Sequence, residues 1–270
     1  MNTHGIPSPE CQACFETARQ RGFIQKTNTL YSQVLWRFDT VSSVKENIRA
    51  VREHIRNAAL RAGRNPADIK LMGVTKTVDD DRIIEAIEAG IDIIGENYVQ
   101  EGKRKIEKMG KSVEWHMIGH LQTNKAKYVV RIFDMVHSVD RLKLATEINR
   151  RSAAQGVTTR ILIEVNVSGE ESKSGIPRDR AVDLVRDVAV LDNLSIQGLM
   201  TMPPWFDDPE DARPYFVALR ELRDRIAREN IPNVAMNELS MGMSGDYKVA
   251  VEEGATIIRV GRFIFGERTA

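Results

Sequence analysis

The sequence has very little cysteine and no long apolar segment. Its two cysteines, Cys11 and Cys14, both lie near the amino terminus of the 270-residue chain. Because the rest of the chain has none, a disulfide framework is excluded and a reducing cytoplasm is the expected location. The longest apolar runs are only as long as a strand, and the first thirty residues lack the apolar core of a secretory signal. The sequence therefore predicts neither a membrane-spanning helix nor a signal peptide.

An excess of charge of one sign is also absent. The chain has 39 Lys and Arg residues against 38 Asp and Glu residues, which gives a formal net charge of +1. Such a balance does not indicate nucleic acid or an anionic membrane surface as a partner. Hydrophobic residues make up 42% of the chain, so it can bury a substantial core, and its length suits a single α/β barrel.

The C-x-x-C spacing of the two cysteines is found in redox pairs and in half of a zinc site. A zinc site needs further ligands, and the sequence contains no second pair of cysteines. A thioredoxin-type motif would follow a strand, and no strand pattern precedes Cys11. We therefore assign no function to this pair. Residues 1–39 are irregular in pattern and are predicted to form an amino-terminal extension, and residues 40–270 are predicted to form one domain.

Strand and helix patterns alternate regularly from the start of this domain. Ser43 and Glu46 have the spacing of a capping box, and the helix that they begin is predicted to end at Gly63. The predicted strands are Lys70–Thr75, Ile91–Gly95, Glu114–Ile118, Phe133–Val136, Ile161–Val167, Ser195–Met200, Ala235–Leu239 and Thr256–Val260. The predicted helices between them are Arg82–Ala89, Tyr98–Met109, Asn124–Val130, Arg141–Gln155, Arg180–Leu191, Pro209–Glu229 and Tyr247–Glu253. Eight such units favour an α/β fold of the (β/α)8 TIM barrel type, and an open doubly wound sheet is the main alternative.

Lys76 lies at the end of the first predicted strand. The carboxyl ends of parallel strands are where α/β folds place their chemistry. A lysine amine at such a position can form a Schiff base with a carbonyl compound, because desolvation and neighbouring groups lower the pKa of the amine. The alternative is a solvated lysine in a connecting loop.

The segment after the seventh predicted strand is rich in small residues. It reads Leu239-Ser240-Met241-Gly242-Met243-Ser244-Gly245-Asp246, and a helix is predicted to begin just after it. A tight turn of this kind can offer backbone amides and hydroxyls to a phosphate group, together with the positive end of the helix. The eighth predicted strand ends at Arg259-Val260-Gly261, and barrels often bind phosphate with the loops after strands seven and eight.

Polar residues also follow the second and third predicted strands. Asn97 could hydrogen-bond a ring substituent of a ligand, and it could also cap the helix that begins there. His116 and His120 have a spacing that suggests a metal site. On a strand, however, residues four apart lie about 13 Å from each other, which is too far to share one ion. We therefore predict no metal at these histidines.

Taken together, these segments resemble the pyridoxal phosphate homeostasis proteins, which are single-domain relatives of the alanine racemase barrel. The matching segments are Gly73-Val74-Thr75-Lys76-Thr77, Gly95-Glu96-Asn97-Tyr98, His116-Met117-Ile118-Gly119-His120-Leu121-Gln122-Thr123-Asn124-Lys125, Leu239-Ser240-Met241-Gly242-Met243-Ser244, Ile258-Arg259-Val260-Gly261 and Ile264-Phe265-Gly266-Glu267-Arg268. The resemblance covers about residues 41–268, and residues 1–39 have no evident counterpart.

This resemblance implies a cofactor, pyridoxal 5′-phosphate (PLP), held on Lys76 as an internal aldimine. It further implies that the Ser240–Ser244 turn and the backbone near Gly261 bind the phosphate, and that Arg259 faces the pyridine nitrogen. The expected cofactor-binding residues are Lys76, Asn97, Ser240, Met241, Gly242, Ser244, Arg259 and Gly261, and no catalytic residue is assigned. A cation at the ring nitrogen would keep it unprotonated and make the cofactor a weak electron sink.

Three functions are compatible with these residues. The favoured one is a PLP-binding protein that buffers or supplies the cofactor, without robust turnover, to PLP-dependent apo-enzymes. The second is an amino-acid racemase, which would need another base; racemases of this fold take a tyrosine from an additional domain, and the sequence leaves no room for one after the eighth unit. The absence of that domain also favours a monomer. The third is an aldolase-like barrel in which Lys76 binds sugar carbonyls without a cofactor.

Overall fold

The computed structural model of the protein describes residues 43–170 and 172–266. The cysteine pair Cys11 and Cys14, the predicted extension over residues 1–39 and the end of the carboxyl-terminal motif, Glu267-Arg268, lie outside the described residues. Within them, strands and helices alternate from Val44 to Phe265. No helix of this described part is both long enough and apolar enough to cross a membrane.

Eight parallel strands form a closed barrel. The described residues contain these eight strands and one additional short strand, β6. In chain order they are β1 Lys70–Val74, β2 Ile93–Glu96, β3 Glu114–Met117, β4 Met135–Val139, β5 Thr159–Asn166, β6 Ile176–Pro177, β7 Leu194–Met200, β8 Val234–Ser240 and β9 Ile257–Val260. The order of neighbours is β4-β3-β2-β1-β9-β8-β7-β5, and a pairing of β4 with β5 closes the ring. The two-residue β6 pairs with the end of β5. The predicted TIM barrel is therefore confirmed, and the open doubly wound sheet is excluded.

Helices cover the outside of the strands. They are α1 Val44–Arg61, α2 Asp80–Glu88, α3 Val99–Met109, α4 Ala126–Ile132, α5 Leu142–Ala153, α6 Ala181–Ala189, α7 Arg213–Arg228, α8 Tyr247–Glu252 and α9 Arg262–Phe265. The predicted capping box begins α1, because the Ser43 hydroxyl accepts the Glu46 amide and the Glu46 carboxylate accepts the Ser43 amide. Gly63, just after this helix, has a φ of 67°, a left-handed conformation that ends helices at little cost for glycine.

The core has two parts because successive strand residues face opposite sides of the barrel wall. Leu71 belongs to the large cluster between the strands and the helices. Its neighbour Met72 packs with Ile93, Ile118 and Ile257 in a second cluster inside the barrel, and Met135, Leu162 and Met200 form a third cluster. The interior also holds buried polar side chains, among them His116, His137, Ser240 and Arg259.

Candidate functional site

A cavity of about 320 Å³ opens at the carboxyl ends of the barrel strands. Five of the eight predicted cofactor residues line it, namely Lys76, Asn97, Ser244, Arg259 and Gly261. They come from strand ends or loops at β1, β2, β8 and β9, which are neighbours in the closed ring. Barrel closure therefore brings residues from position 76 to position 261 into one site.

The other three predicted residues do not line this cavity. Met241 is fully buried in the main core. Gly242 has a φ of 88°, and a Cβ atom there would lie 2.5 Å from the Ala250 Cβ, so the turn passes close against α8. The Ser240 hydroxyl is occupied inside the barrel by hydrogen bonds described below. Direct contact of these three residues with a cofactor stays a prediction, and the structure gives them a supporting position behind the cavity wall.

Lys76 lies two residues beyond the end of β1 and is flanked by an unusual backbone. The next residue, Thr77, has a φ of 59°, a left-handed conformation that is costly for a β-branched side chain. The loop then enters α2 through Asp79, which is the N-cap residue of that helix. A conformation of this kind persists only when its surroundings hold it in place.

A buried ion-pair cluster holds this loop from below. We call Thr75, Glu96, Glu101 and Lys105 the Lys105 cluster. The Lys105 ammonium is fully buried and donates to Glu96 Oε1 at 2.8 Å, to Glu101 Oε1 at 2.7 Å and to the Thr75 carbonyl oxygen at 2.5 Å. Glu101 Oε1 also accepts the Thr77 amide at 2.8 Å. Lys105 and Glu101 therefore hydrogen-bond the backbone of both neighbours of Lys76, Thr75 and Thr77.

The carboxyl group of Glu96 is affected by two opposing influences. Burial raises its pKa, while the adjacent Lys105 ammonium and the Thr75 hydroxyl that donates to it act in the opposite direction. Its second oxygen, Oε2, is buried without a hydrogen-bond partner. Lys105 lies between two carboxylates and a carbonyl oxygen, which are its hydrogen-bond partners in this buried position.

Arg259 extends from β9 into the barrel interior and ends at the cavity. Its Nη1 donates to the Ser240 hydroxyl at 2.6 Å and its Nη2 donates to the Thr201 carbonyl oxygen at 2.8 Å. Only 3% of the residue is exposed, and burial lowers its pKa to about 10. The guanidinium therefore remains a cation near neutral pH, with its plane fixed by two anchors.

Sequence reasoning missed a carboxyl group that also lines this cavity. Glu164 is 2% exposed, and its Oε2 has no hydrogen-bond partner. Burial, followed by the nearby Asp140 charge, raises the pKa of Glu164 to about 7, and Arg259 opposes this effect. A signal was present in the sequence, since Glu164 interrupts the apolar run Ile161-Leu162-Ile163-Glu164-Val165 of a buried strand.

The turn between β8 and α8 offers backbone amides to the cavity. Its own hydrogen bonds use the amide of Met243, which donates to Asp246 Oδ1 at 2.6 Å, and those of Asp246 and Tyr247, which both donate to the Met243 carbonyl oxygen. The amides of Ser244 and Gly245 take no part in these turn bonds, and both residues line the cavity. Ser244 and Gly245 therefore bring two further backbone amides and a hydroxyl to the cavity wall, and such groups can donate hydrogen bonds to an anion.

The remaining wall combines charge with apolar surface. The cations Lys76, Arg259 and Arg262 and the carboxyl groups of Glu164 and Asp246 line the cavity. Apolar contact is supplied by Val74, Ile118, Met202, Trp205, Phe206, Pro209, Ala212 and Met243. A cavity with more cationic than acidic groups and an apolar wall suits a small anionic molecule with a flat ring.

Asn97, His116 and His120 differ in their surroundings. Helix α3 begins after Tyr98, which is its N-cap residue and makes no side-chain cap, so the capping role considered for Asn97 is wrong. His116 is buried, whereas His120 lines the cavity. In the part of the chain that the structure describes, no three His, Cys, Asp or Glu side chains are grouped as a metal site.

Comparison with known proteins gives consistent matches over the barrel. Residues 41–269 match the family "Alanine racemase, N-terminal domain". The pyridoxal phosphate homeostasis protein of Aquifex aeolicus is 47% identical over 224 residues, which cover 83% of this chain and 97% of that protein. The protein of the same name from Escherichia coli K12 is 40% identical over 232 residues, covering 84% of this chain and 98% of that protein.

Solved structures agree with this result. PipY of Synechococcus elongatus, solved with PLP bound, has a TM-score of 0.72 and is 30% identical, and the match covers 83% of this chain and 100% of that one. An alanine racemase from Clostridium difficile matches with a TM-score of 0.64 at 15% identity, over 83% of this chain and 58% of that one. At this identity the racemase supports the fold alone.

Proposed function

The chain belongs to the family of pyridoxal phosphate homeostasis proteins, which have the alanine racemase N-terminal fold, and we propose that it binds PLP in the cavity at the carboxyl end of the barrel. The observation that carries this proposal is that Lys76 and the buried guanidinium of Arg259 line the same cavity. The proposed role is to hold the cofactor reversibly and to supply it within the cell.

The residues of the cavity suit this molecule. PLP supplies an aldehyde that reacts reversibly with a primary amine, an aromatic ring with a basic nitrogen, and a phosphate. The amine of Lys76 is the group that would bind the aldehyde covalently, and the Lys105 cluster holds the backbone on both sides of it. Met202 and Phe206 offer apolar surface for the ring.

Other residues of the cavity suit the phosphate. The amides of Ser244 and Gly245 and the Ser244 hydroxyl are donors, and Gly261 also lines the cavity. A Cβ atom at Gly261 would lie 3.4 Å from the Val74 carbonyl oxygen, so the loops after β1 and β9 approach each other there. Backbone donors of this kind hold a phosphate without needing a lysine for each charge.

Arg259 is assigned to the ring nitrogen. A cation at that position keeps the nitrogen unprotonated, because a second positive charge beside the guanidinium would be repelled. The two anchors of Arg259 at Ser240 and Thr201 fix the direction of its donors. This arrangement favours a protein that stores the cofactor over one that uses it for strong carbanion chemistry.

We also infer an oligomeric state, a location and a class of partner for the protein. We infer that it acts as a monomer in the cytoplasm and releases PLP to PLP-dependent apo-enzymes. The exposed aromatic ring of Trp205, 70% exposed at the edge of the cavity, is available to contact the cofactor on its way in or out. The absence of cysteine from position 15 to position 270 agrees with a reducing compartment.

The test is absorbance spectroscopy of the purified protein with added PLP, followed by borohydride reduction and peptide mass mapping. We expect a reducible absorbance band and a cofactor adduct on the peptide that contains Lys76. The variant Lys76→Ala should lose the adduct and retain weaker, non-covalent binding. Lys143→Ala, at an exposed position on α5, is the matched control and should behave as wild type.

Two results would contradict parts of the proposal. A protein that stays colourless and does not take up PLP is not a PLP carrier, and the aldolase-like interpretation would then be preferred. A Lys76→Ala variant with the wild-type absorbance band and an adduct elsewhere would remove Lys76 from the site while leaving the cofactor in place.

A further inference from the structure

A chain of five hydrogen-bonded side chains runs through the barrel interior from the cavity to the opposite end of the barrel. Arg259 Nη1 lies 2.6 Å from Ser240 Oγ, and Ser240 Oγ lies 3.0 Å from His137 Nδ1. His137 Nε2 lies 2.9 Å from His116 Nδ1, and His116 Nε2 lies 2.9 Å from Glu114 Oε2. We call these residues the interior chain.

The two ends of the interior chain lie at opposite faces of the barrel. Arg259 lines the cavity at the carboxyl ends of the strands. Glu114 is the first residue of β3, at the amino-terminal end, where its side chain is 43% exposed and is also paired with Arg160 at 3.0 Å. The residues between them, Ser240, His137 and His116, are fully buried. The chain thus joins the cavity to the surface on the far side of the barrel.

The chemistry of the two ends gives the interior chain one direction. Arg259 can only donate, and the bond to His116 and the charge of Arg160 lower the pKa of Glu114 to about 2, so its carboxylate can only accept. Burial lowers the pKa of both histidines, so both are neutral and each carries one N–H. His116 must then donate from Nε2 to Glu114, and its Nδ1 is left as an acceptor.

The same reasoning continues along the chain. His137 donates from Nε2 to His116, which leaves its Nδ1 as an acceptor for the Ser240 hydroxyl hydrogen. With that hydrogen directed at His137, the lone pairs of Ser240 Oγ remain available to the Arg259 N–H. A reversed tautomer at His137 would leave the Ser240 hydrogen without this acceptor. The acceptor that anchors Arg259 therefore depends on a carboxylate at the other end of the barrel.

We propose that His116 and His137 are positioning residues for the cavity. The two histidines hold the Arg259 guanidinium in a fixed orientation through Ser240, and the Glu114 carboxylate fixes the tautomers of both rings. Burying two imidazoles is costly unless every nitrogen is satisfied, and here each ring nitrogen has a partner. The orientation of Arg259 by the two histidines is inferred from the hydrogen bonds of the interior chain, and its consequence for PLP binding rests on the proposed function.

The first test needs no cofactor. Nitrogen-15 NMR of histidine-labelled wild-type protein should find both His116 and His137 neutral and protonated at Nε2. Arg160→Gln removes the neighbouring ion pair but keeps Glu114, and should retain these tautomers. Glu114→Ala should produce mixed tautomers at both rings. An Nδ1–H tautomer at either ring in wild type, or unchanged tautomers in Glu114→Ala, would overturn the proposal.

The second test measures the cavity with PLP. His137→Leu removes the acceptor of Ser240, and we expect the dissociation constant to rise about tenfold, the equivalent of one hydrogen bond to a charged group, with a shifted absorbance band. His137→Asn retains an acceptor near the Nδ1 position and should stay within about threefold of wild type. Wild-type affinity and absorbance in His137→Leu would overturn the positioning role. Loss of packing alone would lower thermal stability, but it would not make the dissociation constant for PLP differ between His137→Leu and His137→Asn.

A His137→Leu variant that does not fold and a wild-type protein that binds no PLP lead to different conclusions. Should His137→Leu fail to fold, Glu114→Ala takes its place at a partly exposed position, with an expected rise of about threefold in the dissociation constant and Arg160→Gln as its unchanged control. Wild-type protein that binds no PLP contradicts the proposed function alone. In that case the tautomers of His116 and His137 still decide whether the chain has the direction inferred for it.

Discussion

The ammonium of Lys105 donates a hydrogen bond of 2.5 Å to the carbonyl oxygen of Thr75, the residue before Lys76. Lys105 also binds Glu101, whose carboxylate accepts the amide of Thr77, the residue after Lys76. A buried lysine on α3 therefore holds the backbone on both sides of the lysine proposed to bind the cofactor. This relation explains how the left-handed conformation of Thr77 is maintained.

The first prediction is that Lys105→Met lowers both stability and covalent loading. Removal of one partner from a buried ion pair leaves the Glu96 carboxylate uncompensated, which costs about 3–5 kcal/mol of unfolding free energy. With the Thr75 carbonyl oxygen no longer held, the fraction of Lys76 that is trapped by borohydride should fall. Urea unfolding and mass mapping measure the two effects.

Lys103→Met is the matched control for this prediction. Lys103 is on the same helix and its Nζ lies 3.6 Å from Glu107 Oε1 in an exposed pair. Its loss should change the unfolding free energy by no more than about 0.5 kcal/mol. Equal stability of the two variants would show that the Lys105 cluster contributes no more than a surface pair.

The second prediction compares two glycines of the turn after β8. Gly242→Ala places a methyl group 2.5 Å from the Ala250 Cβ at a φ of 88°, and should cost about 1–3 kcal/mol of unfolding free energy. Gly245→Ala meets no atom within 4 Å and should remain within about 0.5 kcal/mol of wild type. Urea unfolding checks both. A Gly242→Ala variant as stable as Gly245→Ala would mean that the turn adapts freely.

The architecture was largely predictable from the sequence because barrel units repeat a simple pattern. The eight alternating strand and helix patterns are confirmed, and the observed strands differ from the predicted ones mainly at their ends. For example, β4 extends over Met135–Val139, whereas Phe133–Val136 was predicted. The short β6 at Ile176–Pro177 was not predicted, because two residues carry no periodic signal. Lys76 was identifiable because strand ends form the site in any parallel barrel.

The supporting residues of the site were not predictable in the same way. Lys105 appears in sequence as one of several charged residues on an amphipathic helix, and its burial follows only from how α3 packs against β2 and the loop after β1. His137 meets Ser240, 103 positions away, because both side chains enter the barrel interior. Contacts of this type depend on barrel closure and on which face of each strand turns inward, and a local pattern contains neither.

The third prediction concerns the charge beside the proposed ring nitrogen. Arg259→Glu should change the absorbance of bound PLP, because a carboxylate would favour a protonated ring nitrogen where the guanidinium disfavours it. Arg262→Glu reverses the same charge at an exposed residue of the same cavity. It should weaken binding and leave the band position unchanged. Identical spectra for Arg259→Glu and wild type would show that Arg259 does not face the ring.

The fourth prediction is that Glu164 makes the protein less stable as the pH rises towards 7. The pKa of this carboxyl group is raised from 4.5 to about 7 in the folded protein, mainly by burial. Between these two values the folded state keeps a proton that the unfolded state releases, so the unfolding free energy falls with rising pH by up to about 1.4 kcal/mol per pH unit. Above the folded pKa this loss is complete, at about 3 kcal/mol in total.

Glu164→Gln should remove this part of the pH dependence, since the amide cannot ionise and resembles the protonated acid in shape. The variant should match wild type near pH 4.5 and be more stable than wild type at pH 8, as measured by urea unfolding of the cofactor-free protein. Glu88→Gln, at an exposed position on α2, should follow the wild-type curve throughout. If Glu164→Gln instead lost stability at pH 8, the Glu164 carboxylate would have to be a stabilising anion in the folded barrel, with the nearby Arg259 charge outweighing the cost of burial.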